Sequence, residues 1–390
     1  MTIFEEACAL QEETVRHRRF FHEHAETGLQ TPIACRYITE ELHKIGISCR
    51  PCGAGLTAEI GCGQPVLLLR ADLDALPMTE ESGLDFSCKT GAAHTCGHDF
   101  HAAMLLTAAK LLKNRESALK GTVRLMFQPA EEPLTGCKNM LDAGILEAPT
   151  PAAAMACHVA AGHAEPGTVC YNDSSTMMFS VSNFEIRIRG KGGHGAYPQN
   201  AVDPIRIGVH IYLAMQALIA AETAPTEACT LTVGQFQAGT ALNIIPDTAV
   251  LRGALRTDHQ QTQKTLLRRL REVAEQTAAA CRGTAEMELL TSIPPLCCDG
   301  TLTREMISYL QELSGLNPVS GIEASASEDF ALIAEQIPSV YLYLTAGFSD
   351  ERGDFIAHNP KVLFHEDVCP VGSAAYAHCA MRWLQTHGAE

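Results

Sequence analysis

Basic residues are scarce in this 390-residue chain: 29 lysines and arginines face 45 aspartates and glutamates, a formal net charge of −16 at pH 7. That deficit works against nucleic acid and anionic membrane surfaces as partners, because affinity for polyanions comes from neutralising phosphates with Lys and Arg. No apolar run reaches the length of about 20 residues that a bilayer-spanning helix needs, so no membrane crossing is expected. The N-terminus, MTIFEEACALQEETVRHRR, lacks the basic segment and following apolar stretch of a secretory leader, and the expected compartment is the cytoplasm. Internal repeats, low-complexity tracts and long flexible linkers are also missing.

Cysteine, by contrast, is abundant. Sixteen are scattered through a long chain with no secretory leader, which points to reduced thiols serving mostly as small buried apolar residues. The CRPC pair, Cys49 and Cys52, has redox spacing but follows a helix and precedes a Gly-rich turn, the wrong context for a thioredoxin-like site. With 46% hydrophobic and 19% charged residues the composition is globular, and the length suggests two domains.

The first half alternates helical and strand patterns. Thr31 before Pro32 marks a helix start, Ile33, Tyr37, Ile38, Leu42 and Ile45 share one face, and Gly46 supplies the stop. Val66 to Leu69 reads as a buried strand, Val123, Leu125 and Phe127 as another, Ala152 to Ala156 as a third, and Ala102 to Leu112 as a helix between the first two. This alternation predicts an α/β fold with a mainly parallel mixed sheet and flanking helices, in which ligands sit outside the carboxyl ends of the strands. VLLLRADLDALP delivers Asp72 and Asp74 to that edge, GTVRLMFQPAEE delivers Glu131 and Glu132, and AAAMACHV delivers His158.

Near residue 182 the pattern changes to strand, helix, two strands, helix, strand, the order of a ferredoxin-like split motif. Residues 182–292 are therefore expected to form an inserted α+β domain, with residues 1–181 and 293–390 forming the first domain. The latter segment should contribute a helix near Leu302 to Leu313, a strand at Val340 to Leu344 and a terminal helix after Val368.

TCGHDFH, residues 95–101, packs a thiol, two imidazoles and a carboxylate into seven positions. Thiolate and imidazole suit zinc, nickel and cobalt, and carboxylates admit manganese. Cys96 as a buried thiol and His98 as a core histidine are the alternative reading of an isolated pair. Glu131 and Glu132 shift the balance: on extended backbone, neighbouring side chains point to opposite sides, so one carboxylate can bind metal while the other handles protons. His158, closing an apolar strand, is a better ligand candidate than His163 in a loop-like segment, and His358 could return to the same edge after the YLYLTAG strand.

Taken together, RADLDALP (70–77), HTCGHDFH (94–101), QPAEE (128–132), CHV (157–159), GKGGHGAYP (190–198), NIIPDTA (243–249), SEDF (327–330) and HNPK (358–361) resemble the M20 metallopeptidase family over nearly the whole chain. The similarity is to its aminoacylase-like branch of hippurate hydrolases, auxin-conjugate hydrolases and N-acetyldiaminopimelate deacetylases. The resemblance implies two divalent ions (zinc, manganese, nickel or cobalt) held by Cys96, His98, Glu132, His158 and His358, with Glu131 as general base. It further implies a lid and dimerisation role for the inserted domain, in which His194, with Asn243 nearby, reaches the neighbouring subunit's site to support an oxyanion. The implied activity is hydrolysis of N-acyl amino acids or related small amides by a homodimer; an M20-type dipeptidase or carboxypeptidase is the alternative, and a non-catalytic metal-binding protein a further one. Asp72 and Asp74 stand where the wider family has a His, any residue, Asp motif, which leaves supporting the ligands or the base as their implied task. Phe100, Ala160 and Ala161 also depart from the branch pattern beside the site.

Overall fold

The computed structural model describes residues 1–174 and 176–388. The chain divides into two compact units, Met1–Met177 with Cys297–Ile322 and Leu332–Glu390, and Met178–Leu296 with Glu323–Ala331.

The first unit is built on an eight-stranded sheet. Across it run Cys49–Cys52, Gly55–Gly61, Thr122–Gln128, Val66–Asp72, Ala153–Ala160, Ser339–Thr345, Val169–Tyr171 and Val319–Ser320. The central four are mutually parallel, and antiparallel pairs lie on both sides of them. Every residue of Val66–Asp72 and of Thr122–Gln128 is buried, as strands covered on both faces require. The His98–Lys113 helix is buried along nearly its whole length and packs on this sheet together with Cys369–His387. Its start is four residues earlier than the apolar spacing indicates, so the TCGHDFH motif runs straight into the first helical turn.

Thr31 precedes the Pro32–Lys44 helix as expected but does not cap it. The Glu26 carboxylate does so from the preceding loop, accepting from the backbone N–H of Ile33 at 2.9 Å and Ala34 at 3.0 Å. Gly46 ends the helix at φ +76°, a conformation that strains any residue with a Cβ.

In the second unit the chain order strand, helix, strand, strand, helix, strand forms a four-stranded antiparallel sheet. Its strands lie side by side as Cys229–Ala238, Thr248–Thr257, Val181–Arg189 and Thr284–Ile293. Phe184, Ile186 and Ile188 face the core with Ile207 and Ile211 of one helix and Leu266 and Leu270 of the other, while Arg187 and Arg189 alternate outward. Glu323–Ala331, which the sequence pattern leaves with the first domain, belongs to this unit: the Arg256 guanidinium donates to Ser327 Oγ at 2.8 Å, a link no periodicity announces.

The Pro204–Glu222 helix corrects one expectation. It has 19 residues, 18 of which in succession have a mean hydropathy of 1.4, and is long and apolar enough by length and composition to cross a membrane. His210 and Gln216 break its apolar run in the sequence without breaking the helix. Ile207, Ile211, Met215 and Leu218 pack into the unit's own core, whereas Val209, Tyr212 and Leu213 remain exposed.

All sixteen cysteines are free thiols. Cys49 and Cys52 lie in an edge strand, where Cys49 Sγ reaches Thr39 and Cys52 Sγ reaches the Met140 carbonyl.

Candidate metal centre

The strand ends deliver their side chains as the parallel sheet demands, with one local correction. Glu131 and Glu132 are not on extended backbone. The strand stops at Gln128, Ala130 takes φ +56°, and Glu131 to Leu134 form a turn closed by a 2.7 Å bond from Leu134 N to the Glu131 carbonyl. The turn swings both carboxylates to one side: His98 Nε2 is 3.9 Å from Glu131 Oε2 and 4.0 Å from Glu132 Oε1. Asp74 clamps this turn, its two oxygens accepting the backbone N–H of Glu131 at 2.8 Å and of Glu132 at 3.2 Å.

His98 opens its helix just after Gly97, whose φ of +86° and lack of a Cβ are both needed, since a Cβ there would meet Val159 Cγ2 at 2.3 Å. The His98 ring donates Nδ1–H to the Asp74 carbonyl at 2.8 Å, which turns Nε2 toward the carboxylates. His158 is fixed in the same way: Nδ1–H donates to the Val159 carbonyl at 2.7 Å and Nε2 faces Cys96 Sγ at 3.5 Å. His358 sits at φ +68°, uncommon for a residue with a side chain, and brings Nε2 to 3.4 Å from Glu132 Oε2. His163 is elsewhere, paired at the surface with Asp354 at 2.8 Å.

Donor atoms of Cys96, His98 and His158 lie within 4.8 Å of one another, and so do those of Cys96, Glu132 and His358. The five expected ligands thus form two triads sharing the Cys96 sulfur. Two buried atoms in this set, His98 Nε2 and Glu132 Oε1, have no hydrogen-bond partner among the described residues. Leaving such atoms unpaired is costly unless something binds them, so the residues present fit a pair of divalent ions.

Asp72 is fully buried with both oxygens engaged: Oδ1 accepts from His101 Nδ1 at 2.5 Å and Oδ2 from Arg70 Nη1 at 2.7 Å. Burial opposes its charge, but His101, His98 and Arg70 outweigh that and hold its carboxyl well below the usual range. The same burial pushes the Cys96 thiol up to about 12 and raises the Glu132 carboxyl.

A further buried cluster anchors the motif from behind and is not legible as a site in the sequence. Asp99 forms an ion pair with Arg18 Nε and accepts from His22 Nδ1, both at 2.8 Å, and His22 Nε2 donates to Glu80 at 2.9 Å. The Arg18 guanidinium also lies 4.6 Å from the Phe100 ring centroid, which gives that unusual aromatic a partner.

His194 and Asn243 belong to the second unit, where the two-residue strands Gly193–His194 and Ile244–Ile245 face each other and Asn243 lies in the turn just before the latter. His194 pairs with Ile244 in register, and Gly195 N donates to the Asn243 carbonyl at 2.8 Å. The Ala196 N–H donates to His194 Nδ1 at 3.1 Å, so this exposed ring carries its proton on Nε2.

Thiolate, imidazole and carboxylate donors gathered at the carboxyl edge of a parallel sheet, with a second carboxylate beside them, define a metal-dependent hydrolase. The family described as Peptidase family M20/M25/M40 matches residues 68–382. An IAA-amino acid hydrolase ILR1-like 2 from Arabidopsis thaliana is 36% identical over 95% of this chain and 85% of its own length. The N-acetylcysteine deacetylase of Bacillus subtilis (strain 168) is 33% identical, covering 95% of this chain and 97% of its own. A solved dinuclear metal binding peptidase of the M20 family from Bacillus subtilis superposes with a TM-score of 0.82 at 32% identity, covering 97% of this chain and 99% of that one. The chain belongs to peptidase family M20 and is a metal-dependent amidohydrolase.

Proposed function

We propose that this enzyme hydrolyses the amide bond of N-acyl amino acids, with two divalent ions held by Cys96, His98, Glu132, His158 and His358. The observation that carries this reading is the pair of donor triads sharing Cys96, set beside Glu131 on a turn that Asp74 clamps. The similarity to enzymes named for acyl and auxin conjugates supports the substrate class. When bound, the ions supply a lowered pKa for water and polarisation of the scissile carbonyl. Glu131 takes the proton of the attacking water and returns it to the leaving amine, so the reaction passes through a tetrahedral intermediate without an acyl-enzyme. The mixed sulfur, nitrogen and oxygen donors are compatible with zinc, manganese, cobalt or nickel. Matched panels of N-acetyl amino acids and free-amine dipeptides, assayed with each of those metals, test the proposal; faster turnover of the dipeptides would make the enzyme a peptidase instead.

Asp72 and Asp74 act in this reading by positioning, since their oxygens already serve other groups. Asp74→Asn keeps the size but turns an amide N–H toward a backbone N–H of the Glu131–Glu132 turn. Loss of such a supporting bond typically costs about 10–100-fold in metal affinity or activity, and the variant should show this in both a metal titration and kcat.

The active form is proposed to be a homodimer, with His194 of one subunit and Asn243 beside it donating to the oxyanion in the other. Three features of the second unit support this: the Nε2–H tautomer of His194, the exposed Val209, Tyr212 and Leu213 on one helix face, and the Cys229–Ala238 strand at a sheet edge. Mixing Glu131→Gln with His194→Ala protein should restore activity, up to about a quarter of wild type if subunits exchange at random and each site draws on both. No recovery after demonstrated exchange removes the cross-subunit role. Free thiols throughout accord with a cytoplasmic setting.

A further inference from the structure

The cleft that holds the metal centre opens between two strands that begin as neighbours. Val66–Asp72 and Ala153–Ala160 pair in parallel from Leu67 with Ala153 to Arg70 with Ala156, and there the pairing stops. Each strand continues with its other neighbour, through Asp72 with Gln128 on one side and Ala160 with Thr345 on the other. Alternate residues of a strand direct their N–H to the same side, so the N–H groups of Cys157 and Val159 face the widening gap and need partners.

Two side chains from helices fill it. The Tyr376 hydroxyl accepts from Cys157 N at 2.9 Å and donates to the Arg70 carbonyl at 2.8 Å, bridging the strands one step beyond the ladder. One step further, His101 Nε2 accepts from Val159 N at 2.9 Å. A backbone N–H can only donate, so the His101 proton is on Nδ1 and goes to Asp72 Oδ1. Both rings are buried, and the His101 ring lies 4.4 Å from that of His158.

We propose that His101 and Tyr376 are spacers that continue the broken ladder and set the width of the metal cleft, and that His101 is a positioning residue for Asp72 and His158 rather than a ligand. Its two nitrogens are spent on the strands. Val159, whose N–H it holds, is also the residue whose carbonyl accepts from His158 Nδ1, so anchoring Val159 restrains the ring. The inference rests on the ligand set proposed above.

The test is a cobalt(II) titration of the purified protein, followed by the thiolate-to-cobalt absorption band. His101→Phe fills the space without polar atoms; His101→Asn keeps the donor to Asp72 and His101→Gln the acceptor for Val159. The expected result is two ions bound in every case, with Kd raised about 10–100-fold in His101→Phe and by less in the other two. Tyr376→Phe should raise Kd in the same direction. If His101→Phe does not fold, the Asn and Gln variants decide. A stoichiometry falling to one would make His101 a ligand, and unchanged Kd in the variants would leave it a purely structural residue; either overturns the inference. Wild-type protein that binds two cobalt ions but leaves N-acyl amino acids intact would defeat the functional reading while these affinity shifts still stood.

Discussion

Glu131→Gln is expected to bind metal with wild-type stoichiometry and to lose kcat by about 10²–10⁴-fold, the range a positioned proton carrier contributes. The substitution is nearly isosteric. The backbone N–H that Asp74 accepts is untouched, so the turn carrying Glu132 keeps its place, and the five proposed ligands are unchanged. What disappears is a group able to accept a proton near neutral pH. KM should move little, because the amide still offers polar atoms of the same size to the cleft. Stopped-time assays on an N-acetyl amino acid, with metal content measured on the same samples, separate this outcome from simple loss of metal. Activity within tenfold of wild type in a fully loaded sample would remove Glu131 from the chemistry. Glu131→Asp, one methylene shorter, should lie between the two, since it keeps the acceptor but retracts it from the reacting atoms.

Much of this site was legible in the sequence because parallel strands advertise themselves. Continuous apolar runs ending in Asp72, in the Glu131–Glu132 pair and at His158 place those residues at one sheet edge before any coordinates are known. The helix and strand patterns of the second unit were equally readable, since Phe184, Ile186 and Ile188 alternate with polar neighbours. What the sequence did not disclose depends on bonds between distant segments. Glu131 and Glu132 were expected on extended backbone, but Ala130 adopts a left-handed conformation that ends the strand, and no propensity of alanine signals it. Asp74 as the clamp of that turn, Glu26 as a helix cap and Arg18 with His22 as anchors of Asp99 are likewise partners 7 to 81 positions away in the chain. His101 stood in plain view in TCGHDFH, three residues after His98 on the same helix. Its role became readable only when the gap between two strands showed what its nitrogens were holding.

Removing the metals should have the largest effect of all. A chelator is expected to lower turnover by more than about 10³-fold, because metal polarisation supplies several kcal/mol to the transition state, and readdition should restore it. The loss should extend to stability: ions that bind the folded protein alone at a hundred times their Kd stabilise it by about 2.7 kcal/mol, so the melting temperature should fall on chelation. The pH dependence has a definite sign. Burial raises the Glu132 carboxyl and lifts the Cys96 thiol to about 12, while Asp72 and Cys96 raise His98 well above the usual imidazole range despite its burial. Each of these groups binds metal only in its deprotonated form, so at neutral pH protons on Cys96 and His98 compete for the site. Metal affinity should therefore weaken steadily as pH falls, and adding metal to the chelated enzyme in weak buffer should release protons. A Kd independent of pH between pH 6 and 8, on the order of the range where such competition is felt, would mean that Cys96 and His98 are not where the ions bind. Reduced turnover at low pH should then be recoverable with excess metal, which distinguishes lost occupancy from protonation of Glu131, since no concentration of metal can return a proton acceptor that acid has titrated.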